Sequence, residues 1–422
     1  MTDAPAHRSD DIDRQLTDPQ FFASGGHHDL FRRLRTEDPV RWTDGDAARP
    51  FWSISRHADC VAVLRDPLTF SSRLGGLMPL SAREPDEHEL LVGGYGSIPT
   101  HTDPPHHMIL RRPFNKFFSA PAIAPMLGRV QRCVDQIMDE IMPRGECDLV
   151  EDVAAQLPTR IVCEMMGVPA ADQPRIRHHC AAFLGAQDPA YQIDGDPLKT
   201  QQFNMRALFD YMFELAMRRR GAPTDDFTSI IGNIEIDGEK LSERDVGWWC
   251  FSIVAAGLET TRDTVSIGML ELLNNPAEMA RLRDEPDLMN LAIDEIVRWV
   301  NPAMHKFRIA TRDVEIGGQT IREGDWVVAW LVSANRDETV FDDPYRFDVG
   351  RKPNAHLGFG LGEHSCIGRH LARMEMQAMI RALIERTPDM AVAGPCEWLV
   401  SNKHTVLKHM PVRFTPRPRM AA

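Results

Sequence analysis

Apolar residues recur at helical spacing over long stretches of this chain, at 125–142, 202–219, 242–273, 287–300 and 366–386, and that spacing predicts helices with one face or more in the core. Strand signals are short and gather in three places: Val40-Arg41-Trp42 with Phe51-Trp52-Ser53-Ile54, then 308–329, and finally 390–414. Gly317-Gly318 and Glu323-Gly324 interrupt the middle cluster and read as hairpin turns. No repeat period is visible. The balance predicts a mainly α protein with small β-sheets towards both ends of the chain.

The 242–273 segment stands apart from the other helices. Ser242-x-x-Asp245 has the form of a capping box, and Asn274-Asn275-Pro276 supplies the stop. A single helix of this extent would be roughly 45 Å long at about 1.5 Å per residue. Phe251-Ser252-Ile253-Val254-Ala255-Ala256-Gly257 is apolar on nearly every face, so this stretch is expected to cross the interior. Glu259 and Thr260 then place polar groups in the middle of a buried helix, where they must be satisfied or used.

The chain has 422 residues, and about 150 residues per domain would suggest two or three domains. No Gly/Ser-rich or Pro-rich linker divides it, so one large domain is expected over 19–414, with a disordered polar tail at 1–18 and a second tail at 415–422. A net charge of -13 argues against a nucleic-acid binder, which needs a basic excess. No apolar run reaches the roughly 18 residues of a membrane span. The first residues lack the basic and apolar regions of a secretory signal, so a cytoplasmic protein is expected. The eight cysteines are scattered with no C-x-x-C pair, which makes a disulfide framework unattractive. Seven are expected to be small buried hydrophobes. Cys366 is set apart by its neighbours.

Those neighbours are Phe359-Gly360-Leu361-Gly362-Glu363-His364-Ser365-Cys366-Ile367-Gly368. The glycines let the backbone turn tightly and come close to a flat ligand. Cys366 lies where the loop meets a helix, whose free N–H groups favour a thiolate. Three other readings compete. A dinucleotide loop is disfavoured because the glycine spacing is not G-x-G-x-x-G. A zinc site built on His364 and Cys366 lacks a second ligand pair nearby. An inert core cysteine would leave the surrounding pattern without a reason. The loop resembles the haem-binding signature of the cytochrome P450 family, F-G-x-G-x-H-x-C-x-G, with all six positions matched. The resemblance implies a cytochrome P450 fold, with haem b (iron protoporphyrin IX) between the long central helix and the loop. It also implies that Cys366 is the axial iron ligand and that Phe359 and Gly360 touch the cofactor.

Further segments extend the resemblance over nearly the whole chain. Glu295-Ile296-Val297-Arg298 matches the family's E-x-x-R pair, and Arg346 in Asp343-Pro344-Tyr345-Arg346-Phe347-Asp348 is the matching third member of a buried structural network. Asp103-Pro104-Pro105-His106-His107-Met108-Ile109-Leu110-Arg111 resembles D-P-P-x-H-x-x-x-R. His107 and Arg111 lie one helical turn apart and can face one anion. With Arg308 and His364 they are expected to hold the haem propionates. Ala256-Gly257-Leu258-Glu259-Thr260-Thr261 resembles the family's oxygen-activation segment. Ala256 and Gly257 would leave room beside the cofactor, Thr260 would bond back to the Ala256 carbonyl and donate to dioxygen, and Glu259 would relay protons.

The activity so implied is monooxygenation: one oxygen atom of dioxygen inserted into a hydrophobic small molecule, with a steroid, terpenoid or branched fatty acid favoured. No flavin or nicotinamide domain is attached. Electrons are therefore expected from an iron–sulfur ferredoxin and its NAD(P)H reductase, with Arg112, Lys116, Arg369 and Arg373 either forming a basic docking patch or standing as ordinary solvated charges, and the enzyme itself is expected to be a monomer. A peroxide-driven haem-thiolate enzyme and a non-catalytic haem sensor are the alternatives, and Glu259-Thr260 counts against both. The pocket is expected to be lined by the 75–96 loop, Ser252, Ala255, Ala256, the 303–307 stretch and the turn at 402–406. Met304, His305 and Lys306 leave open a substrate with a carboxylate or other polar end.

Overall fold

In a computed structural model describing residues 11–44 and 49–416, the helices bury most of the core and the strands form small sheets. The largest sheet has five strands in the order Val40–Thr43, Phe51–Ile54, Trp326–Trp330, His305–Ala310 and Phe70–Ser71. Trp326–Trp330 runs parallel to Phe51–Ile54, and the other pairings are antiparallel. All five residues of Trp326–Trp330 are buried, as a central strand covered on both faces requires. Gly317 and Gly318, both at positive φ, close the expected hairpin between Val314–Ile316 and Gln319–Ile321.

The central helix is two helices rather than one. Glu243–Gly257 and Glu259–Asn274 meet at Leu258. Ser242 caps the first by accepting from the Asp245 N–H at 3.1 Å. At the junction Thr260 Oγ1 donates to the Ala256 carbonyl at 2.9 Å, which competes with the helical ladder and breaks it. The second helix is buried along almost its whole length.

The N-terminal segment departs from expectation. Asp11–Thr17 is helical, Leu16 is fully buried among Phe22, Leu30 and Phe31, and Asp13 pairs with Arg41 at 3.0 Å. The polar residues of this segment conceal one apolar anchor and one acid with a specific partner. Residues 1–10 lie outside the described residues. At the other end Thr415 N–H donates to Asp389 at 3.0 Å, and 417–422 lie outside the described residues. Six cysteines are buried as expected, whereas Cys396 is half-buried.

Candidate haem site

The ligand loop is held from behind by a buried charge network. Glu295 and Arg298, three apart on Met289–Val300, form a bidentate pair at 2.7 and 2.8 Å with neither side chain exposed. The third member is Arg351, not Arg346. Arg351 Nε donates to both Glu295 oxygens at 3.1 Å, while Arg346 is exposed and contributes only its main-chain carbonyl, which accepts from Arg351 Nη2 at 2.7 Å. The turn at 343–346 directs the Arg346 side chain outward and brings Arg351 back over the helix. Arg298 also donates to the Asn335 carbonyl at 2.8 Å, and Asn335 Oδ1 accepts from the Leu357 N–H at 2.7 Å. The network thus fixes the first residue of the loop.

From there the backbone folds on itself. Gly360 and Gly362 take φ of +68° and +69°, a region open to glycine, and a Cβ at Gly362 would lie 2.8 Å from the Leu64 carbonyl oxygen. Cys366 N–H returns to the Phe359 carbonyl at 2.8 Å. Gly368 then opens the helix Arg369–Arg386, three residues later than the periodicity suggests. Cys366 is the exposed cysteine of the eight. Burial in the surrounding protein nevertheless pushes its thiol pKa up, and the Gly368 N–H, Lys306, Arg111 and Arg369 pull it down. An accessible sulfur enclosed by protein and facing an N–H and three cations is a site for a bound thiolate.

The expected propionate residues converge beside this loop. His107 is buried, with Nδ1 2.9 Å from the Pro99 carbonyl and Nε2 3.2 Å from the Glu363 carbonyl. Its ring lies 4.0 Å from that of His364, centroid to centroid. Arg111 donates to the Ser365 carbonyl. Burial first, then Arg308, His107, Arg111 and Lys306, drive His364 down to about 2. Arg308 is buried, its side chain bonds among the described residues to the Phe307 carbonyl at 2.7 Å, and it is pushed down to about 10 by burial, opposed by Asp103. Arg111 and Arg308, neither ion-paired with a carboxylate among the described residues, call for an anion from outside the chain, with the neutral His107 and His364 beside them as hydrogen-bonding groups.

On the helix side, Ala256 is exposed in the middle of an otherwise buried segment, and Gly257 is half-buried. Glu259 is buried and ion-paired with Arg262. Burial raises its pKa, and Arg262 and Arg177 oppose the rise. Arg262 also holds Asp263 at 2.7 Å, a partner absent from the expected set. Glu259, Thr260, Arg262, Asp263, Tyr191 and His404 line a cavity of about 10 Å³, the lower limit for one water. Three expected pocket segments are joined by main-chain bonds. Phe307 N–H reaches the Gly76 carbonyl at 3.0 Å and Met304 N–H the Lys403 carbonyl at 2.9 Å. A larger cavity of 340 Å³, lined by Leu74, Leu90, Tyr95, His101 and Asp103 among others, adjoins the propionate side rather than Cys366.

This set fits a haem: a sulfur ligand with a donor N–H, a small residue on the facing helix, and cations lacking acids at one edge. Zinc does not fit, since among the described residues no three His, Cys, Asp or Glu side chains are placed to hold a metal ion.

Comparison with known proteins agrees. The family model described as Cytochrome P450 matches residues 213–387. The chain is 36% identical over 414 residues to cytochrome P450 126 of Mycobacterium tuberculosis, covering 94% of this chain and 97% of that one. It is 33% identical over 389 residues to a steroid C26-monooxygenase of Mycolicibacterium smegmatis, covering 90% and 89%. The structure of Mycobacterium marinum cytochrome P450 CYP268A2 in complex with pseudoionone superposes with a TM-score of 0.88 at 34% identity, covering 97% of this chain and 100% of that one. The chain belongs to the cytochrome P450 family, whose cofactor is haem, and it is a monooxygenase with the fold of that family. Among the described residues no helix is long and apolar enough to cross a membrane.

Proposed function

We propose that this chain hydroxylates a hydrophobic small molecule, a steroid, terpenoid or branched fatty acid, using dioxygen and electrons from a ferredoxin, with haem b ligated by Cys366. The observation that carries the reading is the Cys366 sulfur, accessible in a glycine-shaped loop and faced by the Gly368 N–H and by Lys306, Arg111 and Arg369. Thiolate-bound haem supplies the redox chemistry of oxygen activation. The chain's own residues supply the rest. His107, Arg111, Arg308 and His364 hold the propionates, while Phe359, Gly360, Ala256 and Gly257 shape the slot. Thr260 turns its hydroxyl from the Ala256 carbonyl to dioxygen. Glu259 brings protons through the water-sized cavity it shares with Thr260.

The steroid-oxidising relative and the pseudoionone-bound neighbour support a hydrophobic substrate. For the ferredoxin, Arg112, Lys116 and Arg369 are exposed, a surface suited to an acidic partner. Arg373 is excluded from that surface because Asp294 neutralises it. The reading carries a cytoplasmic monomer whose catalytic unit is 19–414, extended by the Asp11–Thr17 helix. The test is the Soret band of the reduced, carbon monoxide-treated protein. The strong red shift of thiolate ligation is expected in the wild type and in Cys250→Ser, and its loss in Cys366→Ser. A persistent band in Cys366→Ser overturns the assignment.

A further inference from the structure

The stretch 302–306 and the turn 401–406 form one unit. Met304 N–H donates to the Lys403 carbonyl at 2.9 Å and Thr405 N–H to the Pro302 carbonyl at 3.0 Å, and Ala303 pairs with His404 in an antiparallel bridge. The turn is braced from its other side as well. Ser401 Oγ accepts from the Lys403 and His404 N–H groups at 3.0 and 3.2 Å, and it lies 3.2 Å from Gln187 Oε1. Lys403 is therefore fixed by its main chain, and the residue is only 6% exposed.

Its ammonium has no hydrogen-bond or ion-pair partner among the described residues. Burial alone lowers its pKa, to about 7, with no acid to oppose the fall. Lys306, on the adjoining strand, also lacks an ion pair among the described residues. The neighbouring histidines offer no counter-charge. Burial and the field of Lys403 and Lys306 hold both His305 and His404 neutral. Among the described residues no acid is paired with either lysine. The Lys403 residue is largely buried while its unpartnered ammonium keeps accessible surface, so it can meet an anion from outside the chain, and a side chain needed only to fill space would be apolar. The propionate cluster does not account for Lys403, which feels neither Cys366, Arg308 nor Arg111.

We propose that the substrate is an amphipathic carboxylic acid whose carboxylate is received by Lys403, an inference that rests on the monooxygenase reading above. The hydrophobic body sets the general affinity. The charge-assisted bond to Lys403 discriminates the acid from its neutral analogue and fixes which end of the chain lies away from the iron.

The test uses the haem-loaded enzyme and matched probes: geranic acid against geraniol, and dodecanoic acid against dodecanol, each titrated by its shift of the Soret band. In the wild type the acid of at least one pair is expected to bind at least about tenfold tighter than the alcohol. Lys403→Met is expected to abolish that preference while the Kd of the alcohol stays within about twofold, and Lys403→Arg to keep it. Lys403→Met also removes an unpaired buried charge, so without ligand it is expected to melt higher than the wild type and to keep its haem. The proposal is overturned by an acid preference that survives in Lys403→Met, or by haem loss in that variant, which would assign the lysine to a propionate. A lower melting temperature overturns it too, since it would mean a partner within the protein. Binding of the alcohols alone overturns the proposal and leaves the monooxygenase reading intact. Failure of every probe, acid and alcohol alike, overturns both the proposal and the hydrophobic pocket.

Discussion

Replacing Arg351 by methionine tests which arginine completes the network behind the ligand loop. The substitution removes two bonds to Glu295 at 3.1 Å, leaves the carbonyls of Asp342 and Asp343 without their donor, and leaves the Arg346 carbonyl with Arg298 alone. Glu295 keeps Arg298, the Asp348 N–H at 3.0 Å and Asn354 at 3.2 Å, so its charge is not abandoned. With Arg298 still paired to Glu295 the charge term stays below the roughly 3–5 kcal/mol of an abandoned buried charge, and the carbonyls left unpaired, at about 1–3 kcal/mol each, bring the total into that range. At about 2.1 cal/mol/K per residue, a chain of this length unfolds with an entropy of roughly 0.9 kcal/mol/K. The expected fall in Tm is therefore about 3–6 °C. Haem occupancy is expected to fall too, because Asn354 and Leu357 begin the loop that carries Cys366. Arg346→Met changes an exposed side chain and leaves the carbonyl that Arg351 and Arg298 use, so its effect is expected to stay within about 0.5 kcal/mol. Thermal melting and the absorbance ratio of haem to protein read both variants. An Arg346→Met loss as large as that of Arg351→Met, or an unchanged Arg351→Met, refutes the assignment.

Thr260→Ala removes one helix bond and is expected to cost about 1 kcal/mol or less, while product per NADH falls and hydrogen peroxide rises; an unchanged ratio removes Thr260 from oxygen activation. Arg308→Met is expected to weaken haem retention, measured by transfer of haem to apomyoglobin, because the site loses a buried cation aimed at an anion. Glu375 is buried with neither carboxylate oxygen bonded among the described residues, and burial pushes it up to about 8. The folded protein thus keeps a proton that the unfolded chain releases above about pH 4.3. This contribution to stability is whole below that pH and is lost as pH rises to 8. Glu375→Gln is expected to gain on the wild type across this window by a few kcal/mol in order of magnitude, and parallel urea midpoints at pH 5 and pH 8 would contradict it.

What was legible in the sequence was the chemistry that neighbours in the chain carry together. The ten residues around Cys366, the pair Glu295 and Arg298, and the turn of helix that joins His107 to Arg111 each place their groups by local geometry alone. Thr260 belongs with them, because a hydroxyl four residues from a carbonyl reaches it within one turn. The consequence for the helix was harder to read: apolar spacing continues through Leu258, so periodicity reports a single helix where the backbone has two. Arg351 was missed because Arg346 and Arg351 lie five apart in an irregular segment, where only the path of the turn decides which side chain comes back. Leu16 was hidden by the polar residues around it. Lys403 was hidden differently, since nothing in a polar turn shows that folding will bury it.

Most buried charges in this protein find their opposites within it. Glu295 is shared by Arg298 and Arg351, Asp263 and Glu259 share Arg262, and Arg35 meets Glu338 at 3.0 Å. The exceptions sort by what they can do about their isolation. Glu375 holds a proton and becomes neutral inside a helix packed on all sides. Arg308 cannot follow that course, because a guanidinium stays protonated at any pH the protein meets. Its positive charge persists near His364 and requires an anion, and haem brings two. Lys403 is fixed on a braced turn with no ion-pair partner among the described residues. An anion arriving with the substrate would hold its charge. The same electrostatic deficit that identifies the cofactor edge of the site therefore identifies, one strand away, the polar end of the substrate pocket.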